Sequence, residues 1–449
     1  MGWAATCADP NLHPNGRVHL GKAHAARHHV PYDVRRQRHW CLIMRIGDVI
    51  SALTVLVCTL AIQGCAGFVV SETTPLATDW QPPLDQPMTI RTLGSDGRFS
   101  QLSSASVAQR LRALRGGEPL SLLALSGGGA FGAFGAGAMV GLTRSGSRPE
   151  FAVVTGISTG ALIAPYTFLG PAWDARLRDV YTSGAADKLL QSRGLGVLFG
   201  SSLYSGKPLQ QLVDAYASDE MIQAIAREAG KGRLLLVATT DVASGDRVVW
   251  DLGAIARNGG PNARTLFRDV LVASASVPGM FPPVMIRDEA HVDGSATGPF
   301  FVPAEFVRAD PQTGDATHRP AVYVIVDGPL AEASGATRLT TRGILSRSIH
   351  TGLNHFLLTT LELTAATAQL QGATLRYAAV PAAYPHMDAF DFRAATMRPL
   401  FSYADECAQA GRLWTVFQHT DAAVETTATA TRRVACPADD SFIGRLASR

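Results

Sequence analysis

Residues 120–160 read LSLLALSGGGAFGAFGAGAMVGLTRSGSRPEFAVVTGISTG, and in them two apolar strands alternate with two glycine-rich loops. The run Leu120–Leu125 has the length and composition of a buried strand, and it leads into the glycines at 127–129. The β-branched run Phe151–Thr155 leads in the same way into Gly156–Gly160. An apolar helical segment follows each loop, so the segment predicts strand, loop and helix twice in succession.

Ser158 lies 31 residues after Gly127, which is long enough for one right-handed β-α-β crossover. Such a crossover places both glycine loops at the carboxyl ends of neighbouring parallel strands. Outside this segment, further buried strands are predicted over residues 234–239, 247–252 and 321–326, and helices over 106–114, 208–229, 262–274 and 341–371. The sequence therefore predicts an α/β fold with a mostly parallel central sheet and helices on both faces.

Each glycine loop has a chemical interpretation. Gly156-Ile157-Ser158-Thr159-Gly160 is a G-x-S-x-G sequence, in which flanking glycines let a strained serine turn approach other backbone. Successive N–H groups of the loop at 127–129 suit a phosphate or the oxyanion of a tetrahedral intermediate. A nucleotide site fits poorly, because the loop lacks a Gly-Lys-Ser/Thr ending and no acidic ribose ligand follows the next strand.

A third segment is His291-Val292-Asp293-Gly294-Ser295, which follows the block Ala273–Pro283. An isolated Asp-Gly is usually only a turn. Together, however, the GGGxxG loop, the GxSxG turn, the A-S-x-A-x-P-x-x-F-P block and the Asp-Gly motif, in this order, resemble the patatin-like phospholipase family. The resemblance is strong over about residues 118–300 and weaker to about 330.

This resemblance implies a Ser-Asp dyad without histidine, with Ser158 as nucleophile and Asp293 as its proton acceptor. It implies an oxyanion loop at Gly127, Gly128, Gly129 and Ala130. Two positions depart from the family: Phe131 stands where Arg or Lys is common, and Ser295 stands where Gly or Ala is usual. The implied substrate is a lipid or phospholipid ester, the implied activity is that of a phospholipase A, lysophospholipase or esterase, and no cofactor or metal is expected.

Residues 1–64 differ in composition from the rest of the chain. Six of the 12 histidines fall within residues 1–43, which show no hydrophobic periodicity. An uncharged apolar run, Val49–Ile62, then precedes Gln63-Gly64-Cys65. This run is too short for a membrane span but fits a secretory signal, and Ile62–Cys65 resembles a bacterial lipobox. We therefore expect translation to start at Met44 and Cys65 to carry lipid; an ordinary secretory signal is the alternative.

The formal charge of +3 belongs to this leader. Seven of the 40 Lys and Arg residues and three of the 37 Asp and Glu residues lie in residues 1–64, so 33 basic and 34 acidic residues remain. A nearly neutral body does not predict nucleic-acid binding, and we expect membrane contact through lipidated Cys65. The expected location is the bacterial cell envelope, at the outer membrane, on its periplasmic or external face.

Five segments are predicted along the chain. They are an untranslated or disordered extension at 1–43, a signal peptide at 44–64, a tether at 65–99, a catalytic domain at 100–405 and a C-terminal extension at 406–449. Cys407 and Cys436 are the cysteines left after Cys65, and in an oxidising compartment they form a plausible disulfide. A zinc site is a poor alternative because no Cys/His cluster accompanies them.

Two other functions stay open at this stage. One is an α/β-hydrolase esterase with a Ser-His-Asp triad, for which His386 or His419 would supply the histidine. The other is an envelope lipoprotein that keeps the fold without turnover. His291, two residues before Asp293, is expected to be structural, and the sequence does not specify an oligomeric state.

Overall fold

The fold is described from a computed structural model. The described residues are 90–93, 98–114, 120–192, 194, 201–307, 319–331, 340–417 and 434–440. They all belong to one compact unit, Pro82–Arg449. The predicted extension, signal peptide and lipidation site at Cys65 lie outside the described residues.

The strands of the described residues form one mixed sheet. In chain order they are β1 (Ile90–Leu93), β2 (Phe99–Leu102), β3 (Ser121–Leu125), β4 (Val153–Gly156), β5 (Leu234–Asp241), β6 (Arg247–Asp251), β7 (Val284–Ile286), β8 (Glu289–Asp293), β9 (Ala321–Pro329), β10 (Thr374–Val380) and β11 (Thr415–Val416). The sheet order is β11-β10-β9-β3-β4-β5-β6-β1-β2, and the hairpin β7-β8 pairs with β5. Strands β10, β9, β3, β4 and β5 are mutually parallel, which confirms the predicted mostly parallel centre.

The helices are α1 (Ser104–Leu114), α2 (Gly132–Arg144), α3 (Thr159–Leu169), α4 (Asp174–Thr182), α5 (Lys207–Tyr216), α6 (Asp219–Gly230), α7 (Leu252–Asn258), α8 (Gly260–Ser274), α9 (Ala304–Val307), α10 (Thr341–Leu370) and α11 (Ala394–Gln409). Alternate residues of β3 face opposite sides: Leu123 and Leu125 pack in one apolar cluster, Leu122 and Ala124 in another. Helices α2 to α8 and α11 contribute to the first cluster, and α1, α9 and α10 to the second. Both faces of the sheet are therefore covered, as the continuous apolar strands predict.

Strand register brings the two glycine loops to one edge of the sheet. Leu125 at the end of β3 pairs with Gly156 at the end of β4, so the chain leaves both strands at the same level. Strand β8 runs antiparallel to β5 and places Asp293 opposite Thr239. Since Val237 of β5 pairs with Gly156, Asp293 lies just past the carboxyl end of β4, at the level of Ser158.

Two predicted boundaries are wrong. The tether predicted at 65–99 extends too far, because β1 and the start of β2 are strands of the sheet and β1 pairs with β6. Residues 90–93 were missed because a four-residue strand carries little periodicity of its own. The boundary predicted at 405/406 cuts α11, and β11 adds a further strand beyond it.

Cys407 of α11 is disulfide-bonded to Cys436. The bond attaches the short segment at 434–440 to the end of α11, and Arg412 adds an ion pair to Asp439 at 3.0 Å. This part of the predicted C-terminal extension is therefore packed on the domain rather than separate from it.

Candidate active site

Ser158 occupies a strained turn between β4 and α3. Its backbone φ is 56° and ψ is −124°, a region that residues with a side chain rarely adopt. Its N–H donates to Ser274 Oγ at 3.1 Å, and the residue is 5% exposed. Such strain persists only where surrounding contacts hold it, and the turn presents the hydroxyl at the carboxyl edge of the sheet.

The glycines on either side of Ser158 are required by close backbone contacts. A Cβ at Gly156 would lie 2.6 Å from the carbonyl oxygen of Gly160. At Gly160 a Cβ would overlap the carbonyl oxygen of Leu125, the last residue of β3. The G-x-S-x-G pattern therefore allows α3 to start directly against the neighbouring strand.

Asp293 is a fully buried carboxyl group beside this turn. Its Oδ1 accepts the N–H of Ser295 at 2.8 Å, whereas Oδ2 has no regular hydrogen bond within the described part of the chain. Burial raises the pKa of Asp293 to about 6, and interactions with the hydroxyl of Ser158 and with Ser295 limit the rise. The hydroxyl of Ser158 therefore lies near enough to this carboxyl group to lower its pKa, although the two groups do not form a regular hydrogen bond.

The 127–130 loop lies against the same turn. A Cβ at Gly127 would be 3.2 Å from Ser158 Cβ and would overlap Ser295 Oγ. The N–H of Gly127 donates to Pro299 O at 3.0 Å, and the N–H of Ala130 donates to Ala389 O at 2.7 Å. Neither group is free to bind an oxyanion in this conformation, because a backbone N–H makes one good hydrogen bond.

Gly128 and Gly129 are the two loop residues whose N–H groups keep no hydrogen-bond partner among the described residues. Unpaired N–H groups near a nucleophile are the donors that an oxyanion hole needs. Of the four residues predicted for the oxyanion hole, these two are the ones whose N–H groups are available in the described structure. The N–H groups of Gly127 and Ala130 instead hold the two ends of the loop in place. The sequence alone could not distinguish this structural role from hydrogen bonding to an oxyanion.

The block Ala273–Pro283 connects the serine turn to Asp293. Ser274 Oγ accepts the Ser158 N–H and donates to Ala238 O of β5 at 2.7 Å. The carbonyl oxygen of Ser276 accepts the N–H of Asp293 at 2.9 Å. The sequence pointed to this block only through the family resemblance and gave no role to its serines. The alternation of small polar residues after an apolar helix was the signal that could have indicated their hydrogen bonds.

His291 and His386 do not complete a triad with these groups. His291 is buried, with Nδ1 3.1 Å from Thr239 Oγ1 and Nε2 3.3 Å from Glu289 Oε2. Burial lowers the pKa of His291, so it is neutral at pH 7. His386 is exposed on a loop and forms no hydrogen bond with Ser158 or Asp293 in the described part of the chain, and His419 lies outside the described residues.

Within the described ranges, no group of three His, Cys, Asp or Glu side chains is placed to hold a metal ion. None of the helices described has the length and apolar character that a membrane span needs.

Comparisons with known proteins add to this geometry. Residues 123–305, which contain both glycine loops and Asp293, match the model of the family described as patatin-like phospholipase. No curated protein matches the chain significantly. Among solved structures, VipD from Legionella pneumophila is similar at 10% identity, over 77% of this chain and 73% of that chain, with a TM-score of 0.31.

The family match spans the strands and loops from β3 to α9, the part of the chain in which Ser158, Asp293 and the loop at 127–130 come together. Residues 123–305 are therefore similar to the patatin-like phospholipase family.

Proposed function

We propose that the protein is a serine acyl hydrolase that cleaves carboxylic esters of lipids with Ser158 and Asp293. The observation that carries this proposal is a buried carboxyl, with its pKa raised to about 6, next to a serine held in a strained strand-to-helix turn. A pKa near the working pH suits a general base. The match of residues 123–305 to the patatin-like phospholipase family supports a lipid ester as substrate, with phospholipase A, lysophospholipase and esterase as the candidate activities.

In the proposed reaction, Asp293 accepts the proton of the Ser158 hydroxyl while Oγ attacks the ester carbonyl carbon. The carbonyl oxygen becomes an oxyanion and accepts hydrogen bonds from the N–H groups of Gly128 and Gly129. Collapse of this intermediate breaks the ester bond, and Asp293 returns the proton to the leaving alcohol. Water then attacks the acyl-enzyme, Asp293 again accepts and returns a proton, and the fatty acid leaves.

The catalytic assignment is tested with mixed phospholipid vesicles. Wild-type protein should release fatty acids or lysophospholipids, identified by mass spectrometry, and Ser158→Ala should not. A fluorophosphonate should label folded wild-type protein at Ser158. Equal product profiles for the two proteins would refute the assignment, and folded wild-type protein that is not labelled would favour a lipoprotein without turnover.

The triad esterase is the second enzymatic candidate. It would need His386 or His419 near Ser158, and the exposed position of His386 gives it no support among the described residues. Activity retained in Asp293→Asn but lost in a histidine variant would select it over the dyad.

We further propose that Cys65 is lipidated and anchors the domain at the bacterial envelope, on the outer membrane. The support is the lipobox-like sequence Ile62–Cys65 after an apolar run that has the length of a signal peptide. Several acyl chains on one cysteine would hold the protein firmly at a membrane. Mass spectrometry of the native protein should show a lipid-modified N-terminal Cys65; a peptide from residues 1–43 would contradict the proposed start.

A further inference from the structure

The helix α10 is longer than the strand that it precedes. Its 30 residues span about 45 Å, whereas the seven residues of β10 span about 23 Å. Near its middle, Asn354 Nδ2 donates to Leu330 O at 3.1 Å. Leu330 directly follows β9, whose carboxyl end lies beside the glycine loop, since Asp327 N–H donates to Ser126 Oγ. The stretch from Asn354 to Leu370 is already about as long as strand β10. The helical turns before Asn354 therefore extend beyond the edge of the sheet that carries Ser158.

Burial changes along α10 at this point. Leu361, Ala365 and Ala368 are buried against the sheet. In the first half, Ile344, Leu353 and Phe356 are 50%, 55% and 41% exposed. We call residues 341–356 the projecting helix end. Leu353 and Phe356 are three residues apart and therefore lie on one face of the helix, and large apolar side chains exposed on one face mark a surface that binds another apolar phase.

The charge of this region is one-sided. From Gly335 to Leu361 the sequence contains Arg338, Arg342 and Arg347 and no Asp or Glu. The projecting helix end has exposed leucine and phenylalanine, two arginines and no acidic residue, a composition typical of helices that lie in the interface of anionic membranes. The rest of the body is nearly neutral, so this concentration of positive charge is local.

We propose that the projecting helix end binds the surface of an anionic phospholipid bilayer and brings the Ser158 edge of the sheet to it. This inference rests on the proposed function, because a lipid ester must leave the bilayer at that edge. Leu353 and Phe356 enter the acyl region, and the positive charge of the segment favours an anionic surface.

Two pairs of substitutions test this on the same helix. Leu353→Asn with Phe356→Asn alters the projecting end, and Leu363→Asn with Leu370→Asn, at residues 38% and 85% exposed, alters the other end as a matched control. Both are made in the full chain carrying Cys65→Ser, so that no acyl anchor contributes. Co-sedimentation is measured with vesicles of phosphatidylglycerol and phosphatidylethanolamine, with Ser158→Ala present to prevent hydrolysis.

The first pair should weaken vesicle binding by about tenfold or more, and the control pair should leave it unchanged. Wild-type binding should weaken in phosphatidylcholine vesicles and at high salt. The inference would be overturned if the two variant proteins bound vesicles equally well, whether at the level of the unsubstituted protein or below it. Conversion of a dimer to a monomer by the first pair with vesicle binding intact would overturn it as well, since the face would then join two copies.

Hydrolysis of a water-soluble short-chain ester, measured with Ser158 intact, separates this inference from the proposed function. Both pairs should hydrolyse it like wild type, which also shows that they fold. Absence of that hydrolysis in wild-type protein would refute the proposed function and leave the vesicle result to stand by itself.

An independent observation concerns Asp327, near the carboxyl end of β9. Its N–H donates to Ser126 Oγ at 2.8 Å, where the glycine loop begins. Its Oδ1 accepts the N–H of Gly135 in α2 at 2.8 Å, where the loop has become helix. Between these points, a Cβ at Gly128 would overlap the carbonyl oxygen of Asp327. One buried residue thus contacts the start of the loop, a proposed oxyanion donor and the helix that follows.

We infer that Asp327 is a positioning residue for the oxyanion loop. Its Oδ2 is buried without a hydrogen-bond partner in the described part of the chain, and burial raises the pKa of this carboxyl well above its usual range. The amide of asparagine reproduces the shape of this carboxyl group and its acceptor for the N–H of Gly135.

Asp327→Asn should keep kcat within about threefold of wild type. Asp327→Ala should lower kcat by about tenfold or more with KM nearly unchanged, and should slow fluorophosphonate labelling of Ser158, because the oxyanion donors act mainly in the transition state. Rates are expressed per labelled Ser158, so loss of folded protein does not count. If Asp327→Ala does not fold, Ser126→Ala serves as the second variant, because it removes the acceptor of the Asp327 N–H. It should also lower kcat. Wild-type kcat in both Asp327→Ala and Ser126→Ala, or failure of Asp327→Asn, would overturn the inference.

Discussion

At the residue scale, the central feature is the buried carboxyl group of Asp293, which keeps its proton to a higher pH than a carboxyl group in water. Asp293 has no solvent exposure and an Oδ2 without a regular partner, and its pKa rises from 3.8 to about 6. The same burial has opposite consequences for catalysis and for stability. A raised pKa makes Asp293 a better proton acceptor at neutral pH, while the buried negative charge destabilises the fold.

The catalytic consequence is a pH dependence. Asp293 must be ionised to accept a proton, so kcat/KM for a soluble ester should fall as the pH drops below about 6. Asp293→Asn should lose activity by about 10²–10⁴-fold, since asparagine cannot accept a proton. Initial rates between pH 4.5 and 8 test both points. A wild-type profile that is flat down to pH 4.5 would contradict the role of Asp293 as base.

The stability consequence has the opposite sign. Because the folded pKa lies above the unfolded one, the folded protein holds more protons between about pH 4 and pH 6, and stability from this group falls as the pH rises through that window. Asp293→Asn cannot ionise, so at pH 7 it should be more stable than wild type by about 2–3 kcal/mol. Urea unfolding at pH 4 and pH 7 measures this. The two proteins should converge at pH 4; a variant that is less stable at pH 7 would contradict the expectation.

Gly128 gives a residue-scale test of the oxyanion loop. A Cβ there would overlap the carbonyl oxygen of Asp327, so Gly128→Ala must displace the loop. We expect kcat to fall by about 10²-fold or more, as for loss of an oxyanion donor. Gly230→Ala is the control, because nothing lies within 4 Å of a Cβ at Gly230. Equal rates for the two variants would exclude Gly128 from the oxyanion hole.

At the scale of elements, two helices from distant parts of the chain, α2 and α11, approach each other closely at two glycines. Cβ atoms at Gly137 and Gly141 of α2 would overlap the backbone of α11 at Phe401 and Asp405. The glycines thus permit close contact, and the Ala389 carbonyl just before α11 accepts the N–H of Ala130. Helix α11 therefore belongs to the support of the glycine loop, although it lies beyond the segment that matches the family.

The disulfide at the end of α11 is a second element-scale feature. It closes a loop of 29 residues between Cys407 and Cys436, for which the loss of unfolded-state entropy corresponds to about 2–4 kcal/mol. Cys407→Ser with Cys436→Ser should lower the free energy of unfolding by that amount and leave soluble-ester kcat unchanged. A reductant should lower wild-type stability to the level of the variant and have no effect on the variant. Equal stability of the reduced and oxidised wild type would contradict this.

At the scale of the whole molecule, the proposed anchor and the catalytic domain have separable effects. If Cys65 carries lipid, Cys65→Ser should move the protein from the membrane fraction to the soluble fraction, because the acyl chains supply most of the membrane affinity. Turnover of vesicle lipids should fall while turnover of a soluble ester stays constant, which an assay of both substrates measures. A Cys65→Ser protein that remains entirely with the membrane after a high-salt wash, which weakens binding by the projecting helix end, would contradict the lipoprotein proposal.

The sequence alone determined the α/β architecture, the strand-loop-helix pairs and the pair Ser158 and Asp293 as the residues to examine. The architecture and Ser158 follow from local patterns: apolar runs of strand length, and glycines placed where a strand turns into a helix. Asp293 follows from the resemblance of the ordered motifs to the patatin-like phospholipase family. Weak local patterns failed, as at β1, whose four residues are a strand only because β2 and β6 lie beside them.

Only the tertiary structure decided which N–H groups of the glycine loop lack a hydrogen-bond partner among the described residues. The acceptors that engage Gly127 and Ala130 are carbonyls of Pro299 and Ala389, more than 150 residues away. The same holds for Asp327 and for the projecting helix end, whose surroundings depend on strand order and on the relative lengths of α10 and β10. A backbone donor carries no mark in the sequence of whether a distant carbonyl will reach it, so its availability is a property of the packed fold.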